Sequence, residues 1–215
     1  MMRTLFHAVD RRLIGTALVA ALALTGALAH AADPSDPTWP CQQRKVATIS
    51  PGQVWAGPPL EAVGTSWSSD PAVADLARRL AARRTDLEEA KTLIAGFADA
   101  AGADRNQRLT ALAAGVLTLI NSDRASIIAG IERYAKRQQQ LAEKIERQTT
   151  ELQALPVDGT EVEQSQRADL QEIQDWDTRI FQERERSLTY VCELPVQLER
   201  RAFALGREMQ SHLAP

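Results

Sequence analysis

Apolar residues recur along most of this chain at helical spacing. From residue 70 onward Val73, Leu80, Leu87, Ile94 and Ala101 fall seven apart, with Leu76, Ala90 and Phe97 on the same stripe, the mark of a helix with one buried face. Asp70 stands as N-cap before Pro71, whose missing N–H costs nothing in a first turn, and Gly102 closes the pattern. A first helix is expected over 70–101.

A second helix is expected over 104–155, opened by Asp104 with Gln107 as its capping-box partner. Its stripe runs Ala113, Leu117, Ile120, Ile127, Ile131, Tyr134, Leu141, Ile145, Leu152 and Leu155, the three-four alternation of a coiled-coil seam. Pro156-Val157-Asp158-Gly159 reads as a tight turn. Thr160 and Glu163 form a second capping box, which starts a third helix over 160–213 carrying Leu170, Ile173, Ile180, Val191, Leu194, Leu198, Leu205 and Met209.

The second and third helices would each be roughly 75 Å long at 1.5 Å per residue, and the first is too short to cover them. Between Leu109 and Ile131 apolar residues spread around more than one face, whereas Arg137 to Gln153 keeps only a narrow seam among Gln, Glu, Lys and Arg. The expected fold is therefore all-α. A long antiparallel, coiled-coil-like hairpin projects by about 30 Å from a three-helix base completed by the shorter first helix. Folding back at Gly130 or Pro195 into a closed bundle is the alternative architecture.

Residues 32–69 break with this pattern. Six of the ten prolines fall before residue 60, no helical period appears, and Trp39, Trp55 and Trp67 punctuate the stretch. Tryptophans in an otherwise structureless segment predict an arm packed on the helical domain of 70–215. Before it, residues 1–31 combine Arg3, Arg11 and Arg12, an uncharged Ala/Leu-rich run from Leu13, and Ala29-His30-Ala31. This is the pattern of a secretory signal peptide cleaved near Ala31, which predicts a periplasmic or secreted protein; the alternative is an inner-membrane anchor formed by residues 13–32.

Composition narrows the chemistry. The formal net charge is −3, and the basic leader hides a more acidic remainder, so nucleic acid is not an expected partner. The two cysteines, Cys41 in the arm and Cys192 in the third helix, are expected to be joined in an oxidising compartment. Closing so long a loop contributes up to roughly 5 kcal/mol in the chain-entropy view. Beyond the leader the chain keeps one histidine, His212, and one methionine, Met209. A Ser-His-Asp or Cys-His site and a zinc or copper site are thereby disfavoured, and no phosphate-binding or metalloprotease motif is present. No cofactor and no metal is expected. The acidic stretches Asp158 to Glu163 and Asp175-Trp176-Asp177 do not fit a calcium loop and read as helix N-terminal and surface charge.

Three features remain as functional candidates. Asn121-Ser122-Asp123-Arg124 interrupts the apolar part of the second helix opposite the Cys192 region. Trp176 lies in the polar part of the hairpin, and Leu155, Val157 and Val162 lie at its tip. Gln138, Gln139, Gln140, Gln164, Gln166, Gln171 and Gln174 are expected to be solvated, or to face a second coiled coil in a self-association. The leading expectation is a non-enzymatic exported adaptor, scaffold or chaperone-like protein that contacts another exported or envelope protein through Leu155, Val157, Val162 and Trp176. The resemblance to periplasmic hairpin chaperones is one of architecture alone. The alternative is a small-ligand binding or sensing module, with its site between the arm and the helical base.

Overall fold

A computed structural model describes Asp36 and residues 38–215; the expected signal peptide at 1–31 and the alternative anchor at 13–32 lie outside the described residues. A short helix α1 (Pro51–Val54) and two 3-10 turns (Leu60–Ala62 and Ser66–Ser69) lead into α2 (Pro71–Ala81) and α3 (Leu87–Ala100). A further 3-10 turn (Gly102–Asp104) precedes α4 (Arg105–Ala154), and α5 (Glu161–Ser211) completes the chain; there is no strand among the described residues.

The spacing that predicted one helix over 70–101 crosses a break. Ala82 turns extended, and Asp86 begins a new helix by accepting the Glu89 N–H at 2.7 Å. Two side chains close the end of α2: Thr85 Oγ1 donates to the Arg79 carbonyl at 2.8 Å, and the buried Arg201 Nε donates to the Leu80 carbonyl at 2.7 Å. These bonds satisfy carbonyls that the helix end leaves without partners. Leu87, counted into the seven-residue stripe, is instead 41% exposed. The two short helices then diverge in their partners, α2 packing chiefly on α4 and α3 chiefly on α5.

Gly102 takes a left-handed conformation, with φ of 55°, which carries the chain out of α3 at little steric cost. The 3-10 turn then runs directly into α4, so Asp104 makes no side-chain cap and the expected box with Gln107 does not form. The box at Thr160 and Glu163 is present.

The main core joins Val73, Ala77 and Leu80 of α2, Ile94 and Ala98 of α3, Leu109 to Ile120 of α4, and Leu198 to Met209 of α5. Contact with three other helices explains why apolar residues surround this part of α4. An 18-residue window within 102–154 is apolar enough for a membrane span, at mean hydropathy 1.2, yet half of that window is buried inside the protein.

Past Glu132, the side-chain hydrogen bonds and ion pairs that join α4 to another element among the described residues go to α5, and the two helices run in opposite directions. Tyr134 Oη donates to the Arg184 carbonyl at 2.7 Å, Gln138 Nε2 to the Phe181 carbonyl at 3.1 Å, and Gln148 Nε2 to the Asp177 carboxylate at 2.7 Å. Both helices are unbroken, with Pro195 accommodated inside α5, so neither Gly130 nor Pro195 folds them back. Gln138 was expected to be solvated but is buried in this seam, and Gln174 donates to Thr149 Oγ1 at 2.6 Å. Ile173, placed on the seam by its spacing, is 49% exposed.

The segment before α2 folds onto this frame. Trp55 is buried and donates its indole N–H to the Pro58 carbonyl at 2.7 Å, while the Trp67 ring covers Gly115. Gly206 of α5 lies under the Val54 carbonyl, so close that a Cβ there would come within 2.1 Å of the oxygen. Gly206→Ala should therefore displace the α1 backbone and cost about 1–3 kcal/mol from overpacking. At an exposed helical site the same change would stabilise by up to ~1 kcal/mol. Thermal unfolding followed by circular dichroism should show a lowered midpoint; an unchanged or raised midpoint would contradict the close contact.

Candidate functional site

The candidate residues lie in two places, where the segment before α2 meets α4 and α5 and at the far end of those two helices. At the first place Cys41 and Cys192 are joined, with Cα atoms 5.6 Å apart. Around the bond Trp39, Ile128 and Ile131 are buried, with Leu188 and Val191 packed against them. This forms a second apolar cluster beside the main core. The Trp39 indole donates to the Gln43 carbonyl at 2.7 Å, and Gln43 Nε2 in turn donates to the Cys192 carbonyl. Trp39 and Trp55 are thus packing groups, while Trp67 is half-buried against the core.

An ionic clasp lies next to the disulfide. Lys45 pairs with Asp36 at 2.8 Å and with Glu132 of α4. The Lys45 hydrogen bond, helped by Thr38, lowers the Asp36 carboxyl to about 2, and the bonds to Asp36 and Glu132 raise Lys45 to about 12. The depressed carboxyl stabilises the fold fully above its unfolded value and loses that contribution as pH falls through about 2; the raised amine loses its own as pH climbs through about 12. The clasp therefore holds across the whole neutral range.

Asn121 explains part of the polar interruption in α4. Its amide donates to the Ile49 carbonyl and its oxygen accepts the Ile49 N–H, both at 3.0 Å. The side chain thus completes the backbone of a segment that has no strand to pair with. Arg124, one turn along, is only 3% exposed. Its Nη1 lies 3.9 Å from Glu199 Oε2, and neither Nε nor Nη1 has a hydrogen-bond partner among the described residues. Burial lowers its pKa, against the opposing pull of Glu199.

Between the arm and α5 there is a cleft of about 340 Å³. Ile49, Gln53 and Val54 form one wall; Val196, Glu199, Arg200 and Phe203, along a single face of α5, form the other. The wall residues are fixed at both ends, Ile49 by Asn121 and Val54 by Gln210, whose Nε2 donates to the Val54 carbonyl at 3.1 Å.

At the far end the turn is held stiffly. Arg167 Nη1 donates to the carbonyls of Leu152 and Leu155 at 2.6 and 3.1 Å, closing the C-terminus of α4, while Thr160 and Glu163 cap the start of α5. Val157 and Val162 are 70% and 66% exposed, and Leu155 is half-buried. Trp176 is 59% exposed with Arg179 over its ring, whereas its neighbour Asp177 is buried. Lys144 and Gln148 each bond Asp177 at 2.7 Å and hold its carboxyl below the ordinary range. Among the described residues no group of three His, Cys, Asp or Glu is placed to hold a metal, and His212 pairs with Glu208 at 3.1 Å in the last turn.

The spacing did not reveal Arg124, Arg167 or Arg201 as buried or capping groups. A charged residue about two helical turns past a Pro-x-x-Gly turn was the available signal for Arg167. Scans against protein-family models, curated proteins and solved structures find no match to this chain.

The crosslink generates a direct prediction. Cys41→Ser should lower the unfolding free energy by about 2–4 kcal/mol, the usual range for a disulfide. It should also release Trp39, shifting its fluorescence toward that of exposed indole. Urea unfolding of oxidised protein and variant measures both, and equal midpoints would contradict a stapling role.

Proposed function

We propose that this is an exported, non-enzymatic helical protein that acts by protein–protein contact, using the paired ends of α4 and α5 as a protruding hairpin. In this reading α2, α3 and the neighbouring parts of α4 and α5 are a three-helix base. The arm braces that base, and Leu155, Val157, Val162 and Trp176 meet another exported or envelope protein. Ile173 joins them, being exposed one turn before Trp176.

The observation that carries the reading is the exposure of Trp176 on a part of the fold whose two helices are tied to each other by side-chain hydrogen bonds. The seam beneath it is hydrogen-bonded and the turn beyond it is capped on both sides. An exposed indole on a stiff support costs little entropy on binding, and tryptophan is enriched among residues that dominate interfaces. The disulfide supports the address, since such bonds persist in oxidising compartments. The scarcity of histidine and the acidic charge support a role without catalysis, cofactor or nucleic acid. Cleavage near Ala31 would deliver the protein to the periplasm.

The reading predicts that replacing Trp176 with Ala, together with Val157 and Val162 with Ser, reduces partner recovery by tenfold or more. Helical content and the thermal midpoint should be unchanged. Crosslinking in intact cells followed by mass spectrometry measures the recovery and identifies the mature N-terminus, expected at Ala32. Undiminished crosslinks from the triple variant would remove the hairpin as the interface.

A further inference from the structure

The cleft between the arm and α5 carries features that the hairpin reading does not use. Its volume of about 340 Å³ falls in the range of small-molecule sites. Ile49, Val54, Val196 and Phe203 make its surface predominantly apolar. Phe203, at 47% exposure, is a large aromatic side chain left at the opening of a groove.

The charges around that apolar surface are unbalanced. Glu199 is the one carboxylate in the lining, and the buried guanidinium of Arg124 stands 3.9 Å from it. Arg200 lines the cleft with no ion-pair or hydrogen-bond partner among the described residues, and Arg207 lies over the Phe203 ring, 5.7 Å from its centroid. With Glu199 offset by Arg124 behind it, Arg200 is the uncompensated charge of the lining, on a protein whose overall charge is negative. Arg124 thus screens the one lining carboxylate from behind, which lowers the repulsion an anionic group would meet beside Arg200.

We propose that this cleft binds a small amphiphile, with an apolar body held between Ile49, Val54 and Phe203 and a single anionic group paired with Arg200. The site is pre-formed, since Asn121 fixes Ile49 and Gln210 fixes Val54 from opposite ends, so little ordering cost is left for binding. The ligand is taken as a monomer in solution. Nothing in this site depends on the hairpin.

Isothermal titration of the oxidised protein with decanoate below its micellar concentration tests the proposal. Decanol, decyltrimethylammonium and phosphatidylglycerol vesicles complete the set of probes. The expected result is saturable one-to-one binding of decanoate, at least tenfold weaker binding of decanol, and none of the cationic analogue. Arg200→Glu should weaken decanoate binding at least tenfold without moving the thermal midpoint, because the side chain is exposed. Val196→Trp should fill the cleft and abolish binding; if that variant unfolds, the Arg200→Glu result decides. Absence of saturable decanoate binding, equal affinity for all three decyl compounds, an unaffected Arg200→Glu variant, or binding to vesicles alone would each overturn the proposal.

Discussion

The pairing of α4 with α5 is the constraint from which the remaining structure follows. Each helix is roughly 75 Å long at 1.5 Å per residue, and the chain supplies too little other material to bury both throughout. Near the chain's other helices the pair builds a core of Leu, Ile, Val and closely packed Ala. Where only two helices meet, each can bury no more than a narrow stripe. There the stripe admits Gln138, Gln148 and Asp177, with cross-helix hydrogen bonds replacing apolar contact. Such polar seam positions fix register at some expense of stability.

The arm solves a different problem on the same pair. The break at Ala82 shortens the cover that α2 and α3 provide, and the apolar faces around Ile128, Ile131 and Val191 would otherwise lie open. Trp39 and the disulfide cover them, Asn121 secures the chain at Ile49, and Gly206 lets it press against α5 at Val54. Covalent, polar and steric devices thus act at three successive points of a segment whose own secondary structure is limited to the short helix α1 and two 3-10 turns. The cleft is the space left between the last two of them.

Long periodic elements were legible in the sequence because a seven-residue repeat survives averaging over many turns. The second and third helices, their intervening turn and the Thr160–Glu163 box could be read on that basis. The break before Leu87 could not be read with the same rule. Val73, Leu80, Leu87 and Ile94 keep perfect spacing across it, and only Asp86 with Glu89 marked a new start. The seam glutamines were concealed in a related way, since gaps at 138 and 148 in an apolar stripe look like solvated positions until the facing carbonyl or carboxylate is known. Buried Arg124 and Arg201 and the cleft itself depend on partners from segments more than seventy residues away. No local pattern encodes such meetings.

An unbroken α4 that packs against α5 is the central claim, because the polar seam, the disulfide-linked cluster and the cleft all depend on it. Spin labels introduced as unnatural amino acids at Ala103 and Val157 leave the disulfide intact and report the span of α4 directly. Double electron–electron resonance should give a single separation of roughly 75–80 Å, from the helical rise per residue. A separation of roughly 10–20 Å, as expected if α4 turned back on itself at mid-length and its two ends lay side by side at helix-packing distance, would contradict the account.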